Sequence, residues 1–449
     1  MRSELVSALE ALLEDLSRKL AAAQSEERMP SVGAAVFRGS ELVWQEALGV
    51  ADAEASRAAT PDTQYRIGSI TKTFTAVGIL QLRDAGELSL DDPLTKYLPE
   101  SSHGPALGRM LAHSSGLQRE PPGEIWETMQ APSREELLTQ TADAEQVLDP
   151  GSWWHYSNLA FALLGEVVAR AHGGTWEDAL QENILDPLGL TRTTPAAAEP
   201  AARGYFVQPY SDAVQLEPDP DLGGAGALGK LWSTTGDLAR WGDFLAAGDD
   251  RVLKASTLEE MSHVRAMVDH EGWKLAWGTG LELYRRDDHV FVGHGGAMPG
   301  HLAALAVNRK TKIGAAVLTN TGAGASPEKL ALDLAVAAIE ALPAGAEAWQ
   351  PGESAPAEIE PLLGRWWVEG SEMVFSWRKG RLEGKLVDGP PGRDTSFFVQ
   401  EGNDVFRSAE GRERGEVLRV VRNDAGSIEK LYFATYPLNR VPYVEFKPS

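Results

Sequence analysis

The chain has no cysteine in 449 residues. Disulfides, thiolate catalysis and a cysteine-borne lipid anchor are therefore excluded. Positive charge is also scarce: 42 lysines and arginines stand against 65 aspartates and glutamates, a formal net charge of −23. Such a balance repels phosphate backbones and anionic headgroups, so no nucleic acid and no membrane surface is expected as a partner. No run of about 18 apolar residues occurs, which argues against a membrane span. The nine histidines are scattered and none forms an HExxH pair, so neither a metal site nor a cofactor is expected. The N-terminal stretch lacks the basic start and uncharged core of a signal peptide, because Glu4, Glu10, Glu14 and Asp15 interrupt it. Leu5, Leu9, Leu12, Leu13, Leu16 and Leu20 mark it instead as one face of an amphipathic helix, and a cytoplasmic protein is the expectation.

What is present is a hydrophobic content of 43% over a length that suits two domains and a large core. The most informative stretch runs from Tyr65 to Phe74. Ser69 and Lys72 are three residues apart, which places them on one helix face. A lysine amine can take a serine proton only when it is neutral, and burial favours the neutral form. The apolar run Phe74–Leu82 suggests a helix enclosed on most sides, with Ser69 in its first turn, where backbone N–H groups and the helix dipole favour negative charge. Ser-x-x-Lys alone decides little, because it also occurs at Ser326/Lys329, Ser376/Lys379 and Ser427/Lys430. Ser326 reads as an ordinary N-cap before Pro327, and the other two lie in hairpin patterns.

Partners for Ser69 must come from elsewhere. Tyr156-x-Asn158 precedes a helix over 159–171 and occurs once among nine tyrosines. Two residues apart in an extended segment, both side chains point the same way. A tyrosine moves protons when a nearby cation lowers its pKa, and an amide orients a substrate. The structural alternative is that Asn158 N-caps the helix and Tyr156 is core. Trp153 and Trp154 either line a pocket beside Tyr156 or belong to the core. A third stretch, His289–Gly300, runs an apolar strand into His294-Gly295-Gly296-Ala297, where glycines let backbone approach a ligand closely. His294 could hydrogen-bond Tyr156 or a substrate, or simply end a strand. His113 reads as a structural, hydrogen-bonded histidine.

Strands at 32–37, 42–47, 289–293, 302–307 and 313–318 predict one antiparallel five-stranded sheet. Its two halves come from the ends of the domain, with a helical insertion between and a terminal helix over 328–342. This is an α/β (α+β) pattern, flanked by helices. The segment 196–224, rich in Pro, Asp and Gly, reads as a long loop bordering a cleft. Residues 346–359 read as a linker. Eight short strands follow, the last at 441–446, and predict a small antiparallel β-barrel. The expected domains are thus 1–345 and 360–449.

In this order and setting, Ser69-x-x-Lys72, Tyr156-x-Asn158 and His294-Gly295-Gly296 resemble the serine β-lactamase and penicillin-binding-protein superfamily. The likeness is to the class C β-lactamase, D-aminopeptidase and esterase branch. It covers about residues 25–342, including His113–Leu117 and Asp186–Leu190; the C-terminal barrel is similar to lipocalin-like domains on pattern alone. The resemblance implies a β-lactamase-like fold and Ser69 as a nucleophile forming an acyl-enzyme. It implies that Lys72 and Tyr156 share the proton work and that Asn158, His294, Gly295, Gly296 and Ala297 bind substrate. The N–H groups of Ser69 and Ala297 would form the oxyanion hole. His294 departs from the lysine that many relatives carry there. A neutral histidine suits a substrate carboxylate less well, which favours a carboxylesterase or a D-stereospecific peptidase or amidase acting on small-molecule or peptide esters and amides. The alternatives are a peptide cyclase or transpeptidase, a β-lactamase, and a non-enzymatic binding protein.

Overall fold

Leu12, Leu16 and Leu20 recur at helical spacing and are buried along one stripe of α1 (Arg2–Glu26), whereas Leu9 of the same expected stripe stays exposed. A hairpin follows, β1 (Ser31–Arg38) and β2 (Glu41–Asp52), turned by Gly39 at a φ of 57°. Next come α2 (Thr71–Asp84), α3 (Asn158–His172) and α4 (Thr235–Ala247). The chain then returns to the sheet as β3 (His289–Met298), β4 (His301–Asn308) and β5 (Ile313–Thr319), and closes with α5 (Pro327–Ala341). The computed structural model describes residues 2–342, 349–389 and 395–442 and forms two compact units, Met1–Ala344 and Gly345–Ser449. The expected boundary at 345, the start of the linker at 346–348 and positions 443–446 of the last expected strand lie outside the described residues.

In the first unit β1 pairs antiparallel with β5, from Val32↔Thr319 to Arg38↔Ile313, which brings the two ends of the unit together at the centre of the sheet. The five expected strands are its middle, in the order β2, β1, β5, β4, β3. Short strands extend it on both sides: Arg57–Ala58 beyond β2, and Glu282–Arg286, Leu275–Trp277 and Ala266–Met267 beyond β3. Every residue of β5 is buried because the pleat feeds two cores. Ala315 and Val317 pack with α1 and α5 on one face, while Ala316 and Leu318 join the cluster that includes α2, α3 and α4 on the other. The expected loop 196–224 contains a small hairpin, Tyr205–Val207 with Val214–Leu216.

The second unit is a nearly closed barrel of eight antiparallel strands in sequential order, from Gly364–Val368 to Tyr436–Leu438. Its first and last strands meet through the bridge Trp367↔Asn439. The eighth strand thus comes earlier than the expected 441–446. Ile359, Trp366, Phe375, Leu382, Phe398, Phe406, Leu418 and Leu431 fill its interior, so Ile359, at the end of the expected linker, is barrel core.

Candidate active site

α2 is buried at every position from Thr71 to Leu80. Its entry is fixed by a backbone-to-backbone contact that only glycines permit. Gly68 has a φ of +47°, and a Cβ there would stand 2.7 Å from Ala297 N; a Cβ at Gly296 would stand 2.1 Å from Ile67 O. The turn before α2 therefore lies directly against β3. Ser69 sits in this 3-10 turn, Gly68–Ile70, which runs directly into α2 at Thr71, rather than in the first turn of the helix proper. Ser69 is half-buried and Lys72 fully buried.

Lys72 Nζ lies 3.0 Å from Ser69 Oγ and donates to Leu228 O at 2.6 Å. Burial brings its pKa down to about 7; Glu120 pushes it up, Arg119 down and Glu282 up again. The other three Ser-x-x-Lys pairs have different surroundings. Lys329 is exposed and ion-paired with Asp333, and Ser376 and Lys430 lie on barrel strands.

Tyr156 is held by His113. The His113 carbonyl accepts from His155 N at 2.7 Å and its Nδ1 accepts from Ser157 N at 3.0 Å, so the histidine grips the chain on both sides of the tyrosine. The two rings stack with centroids 4.2 Å apart. Burial keeps His113 well below the usual imidazole range and therefore neutral, as a structural histidine. The Tyr156 ring lies 5.0 Å from Lys72 Nζ and, on its own account, 5.0 Å from the Arg119 guanidinium. Burial raises the Tyr156 pKa, opposed by a hydrogen bond with Ser69. This reverses the expectation of a tyrosine acidified by a nearby cation: desolvation outweighs the charge, and the ring rests as a phenol. Trp154 and Trp277 complete an aromatic cluster around it, while Trp153 is 62% exposed.

Asn158 is not the N-cap of α3. Ser157 caps the helix through its Oγ, which accepts from Ala160 N at 3.0 Å. Asn158 is left to donate from Nδ2 to both oxygens of Glu120, at 2.8 and 3.0 Å, with its buried Oδ1 unpartnered. His294 does not hydrogen-bond Tyr156; the ring centroids are 6.4 Å apart. Its Nδ1 donates to Gly295 O, its Nε2 is buried without a partner, and burial lowers its pKa, so it is neutral. Gly295 N donates at 2.8 Å to Glu282, and Ala297 is exposed beside the Ser69 turn. Ser69, Lys72, Tyr156, Asn158 and the 294–297 segment thus converge on one site. Arg119, Glu120, Trp277 and Glu282 belong to it as well. No motif or spacing ties them to Ser69, and only the tertiary fold brings them there.

A family model described as Beta-lactamase matches residues 12–339. The chain belongs to this family. A second model, a domain of unknown function (DUF7586), matches residues 355–440 of the barrel unit. Among Beta-lactamase relatives, the chain is 29% identical over 378 residues to penicillin-binding protein 4 of Amycolatopsis lactamdurans, covering 78% of this chain and 96% of that protein. It is 31% identical over 305 residues to Beta-lactamase-like protein 2 of Dictyostelium discoideum, covering 63% of this chain and 54% of that one. Esterase EstB of Burkholderia gladioli is 34% identical over 214 residues, 43% of this chain and 53% of EstB. The alignment thus spans about half of each of the last two relatives. Among solved structures, the octameric penicillin-binding protein homologue from Pyrococcus abyssi shares the fold, with a TM-score of 0.66 at 24% identity over 95% of this chain and 99% of that one. A D-stereospecific amidohydrolase from a Streptomyces species gives a TM-score of 0.60 at 26% identity, over 71% of this chain and 98% of the other. This is a family of serine hydrolases that includes esterases, peptidases and amidases. No helix among the described residues is long and apolar enough to cross a membrane.

Proposed function

We propose that the protein is a serine hydrolase of the carboxylesterase or D-stereospecific amidase type, acting on esters or amides through an acyl-enzyme on Ser69. The observation that carries this reading is the buried Lys72 amine 3.0 Å from Ser69 Oγ, with a pKa brought down to about 7. A neutral amine donates one N–H to Leu228 O and turns its lone pair to the serine. Ser69 Oγ attacks the carbonyl carbon and its proton passes to Lys72. The oxyanion forms against the N–H groups of Ser69 and Ala297, which belong to the two backbone segments that meet at Gly68. Tyr156, resting as a phenol, hands a proton to the leaving group and takes back from Lys72 the proton that left Ser69. Water then cleaves the Ser69 ester by the same path in reverse. The esterase and the D-stereospecific amidohydrolase among its relatives support the substrate class.

The test is a fluorophosphonate followed by intact mass and peptide mapping. One adduct is expected, on Ser69, absent from Ser69→Ala and present in Ser326→Ala; an adduct on any other serine would sink the assignment. The pH dependence adds a second test. kcat/KM on a neutral ester should rise through an apparent pKa near 7 as Lys72 loses its proton. Glu120 holds that proton on, so Glu120→Gln should move the limb to lower pH; Arg119 drives it off, so Arg119→Gln should move it to higher pH. A limb that ignores both changes would mean that another group titrates.

A further inference from the structure

We infer that Glu282 sets the leaving-group preference of this site, admitting esters and amides whose departing alcohol or amine is neutral or cationic and turning away carboxylated ones. The inference rests on the acyl-enzyme reading above. Its ground is the edge of the sheet. Strand Glu282–Arg286 pairs with β3 only as far as Glu282↔Gly293. Beyond that register β3 continues to Gly295, Gly296 and Ala297, and the Glu282 carboxylate, not another strand, takes the N–H of Gly295 at 2.8 Å. From Gly295 N to Ala297 N is two residues of extended chain, about 7 Å. A group leaving a carbonyl held at Ala297 N and running along this edge therefore arrives at Glu282.

The charge there is not cancelled. The two donors to Glu282, Gly295 N–H and the Tyr284 hydroxyl, are neutral. His294, the side chain in the position where relatives place a cation, is buried and neutral. Behind the strand stands Glu328, so close that a Cβ on Gly295 would lie 2.4 Å from its Oε1; burial and Glu282 push its carboxyl up. Arg119, the exposed cation of the site, lies over Tyr156 and ion-pairs with Glu120 at 3.4 Å. The field of Glu282 reaches Lys72, Tyr156 and His294, so a leaving group in the same space feels it too. In a partly wet site, one unit charge at such distances changes binding roughly tenfold.

The test uses three acetate esters that form the same acyl-enzyme and differ only in the phenol released: one bearing a trimethylammonium group, one neutral, one bearing a carboxylate. Deacylation is then common to all, and kcat/KM isolates the leaving-group step. The wild-type ratio of cationic to carboxylated ester should exceed that of Glu282→Gln by on the order of 100-fold, and Glu282→Lys should invert the order. Circular dichroism and thermal melting report that each variant is folded, and the neutral ester is the common reference for each ratio. An unchanged ratio in Glu282→Gln, or a wild-type preference for the carboxylated ester, overturns the role of Glu282 alone. Failure of the wild type to turn over even the neutral ester overturns the hydrolase reading beneath it.

Discussion

Lys72→Met is expected to remove turnover, by on the order of 10⁴-fold in kcat/KM, and to make the protein more stable at neutral pH. The two effects have one cause. Lys72 is fully buried, and desolvation brings its pKa from 10.5 down to about 7. Between those values the unfolded chain holds a proton at Lys72 that the folded chain does not. Stability therefore rises with pH across that window, and the burden on the fold is complete at and below about pH 7. A shift of this size corresponds to several kcal/mol. Methionine fills nearly the same volume without a charge to desolvate, but it leaves Leu228 O without its donor, which costs about 1–3 kcal/mol. The net gain is about 2 kcal/mol near pH 7. Calorimetry from pH 7 to 10 checks it: the Tm advantage of Lys72→Met should be largest at pH 7 and shrink as pH rises. A variant less stable than wild type at every pH would show that Lys72 is held for structure.

Much of this arrangement was legible because its signals are local. The hydrophobic periods located α1, α2, α3, α5 and the five central strands. The Ser69–Lys72 spacing stood out once Tyr156, Asn158 and His294 were read with it. Other features were not legible, for physical reasons. Strand Glu282–Arg286 carries Glu, Tyr and two Arg in five residues, a composition that reads as loop until β3 supplies its partner. Glu282 is anchored in the site by a backbone N–H that only the register of that pairing exposes. Asn158 as the N-cap of α3, the structural alternative, could not be told from Ser157, because both residues favour caps and only the structure shows Ser157 Oγ turned to Ala160 N. The direction of the Tyr156 pKa is a balance of burial against charge, and burial is invisible in a motif.

Gly68→Ala should cost about 10²–10³-fold in kcat while leaving Ser69 and Lys72 chemically intact. Gly68 adopts a φ of +47°, where a side chain is strained, and its Cβ would come within 2.7 Å of Ala297 N and 2.9 Å of Ala297 O. Backbone cannot yield as a flexible side chain does, so either the Ser69 turn or β3 must move. Both proposed oxyanion donors, the N–H groups of Ser69 and Ala297, sit on those two segments. Separating them by even part of an ångström removes one donor from the developing charge, and one such donor is worth 10²–10³-fold. The loss should fall on kcat rather than KM, because the interaction matures only as the carbonyl becomes tetrahedral. Fluorophosphonate labelling separates the causes, since its phosphoryl oxygen needs the same two donors. The labelling rate should fall with kcat, while the ascending limb near pH 7 stays in place because Lys72 is untouched. A Gly68→Ala enzyme with a shifted limb and an unchanged labelling rate would mean that the glycine serves Lys72 and not the oxyanion.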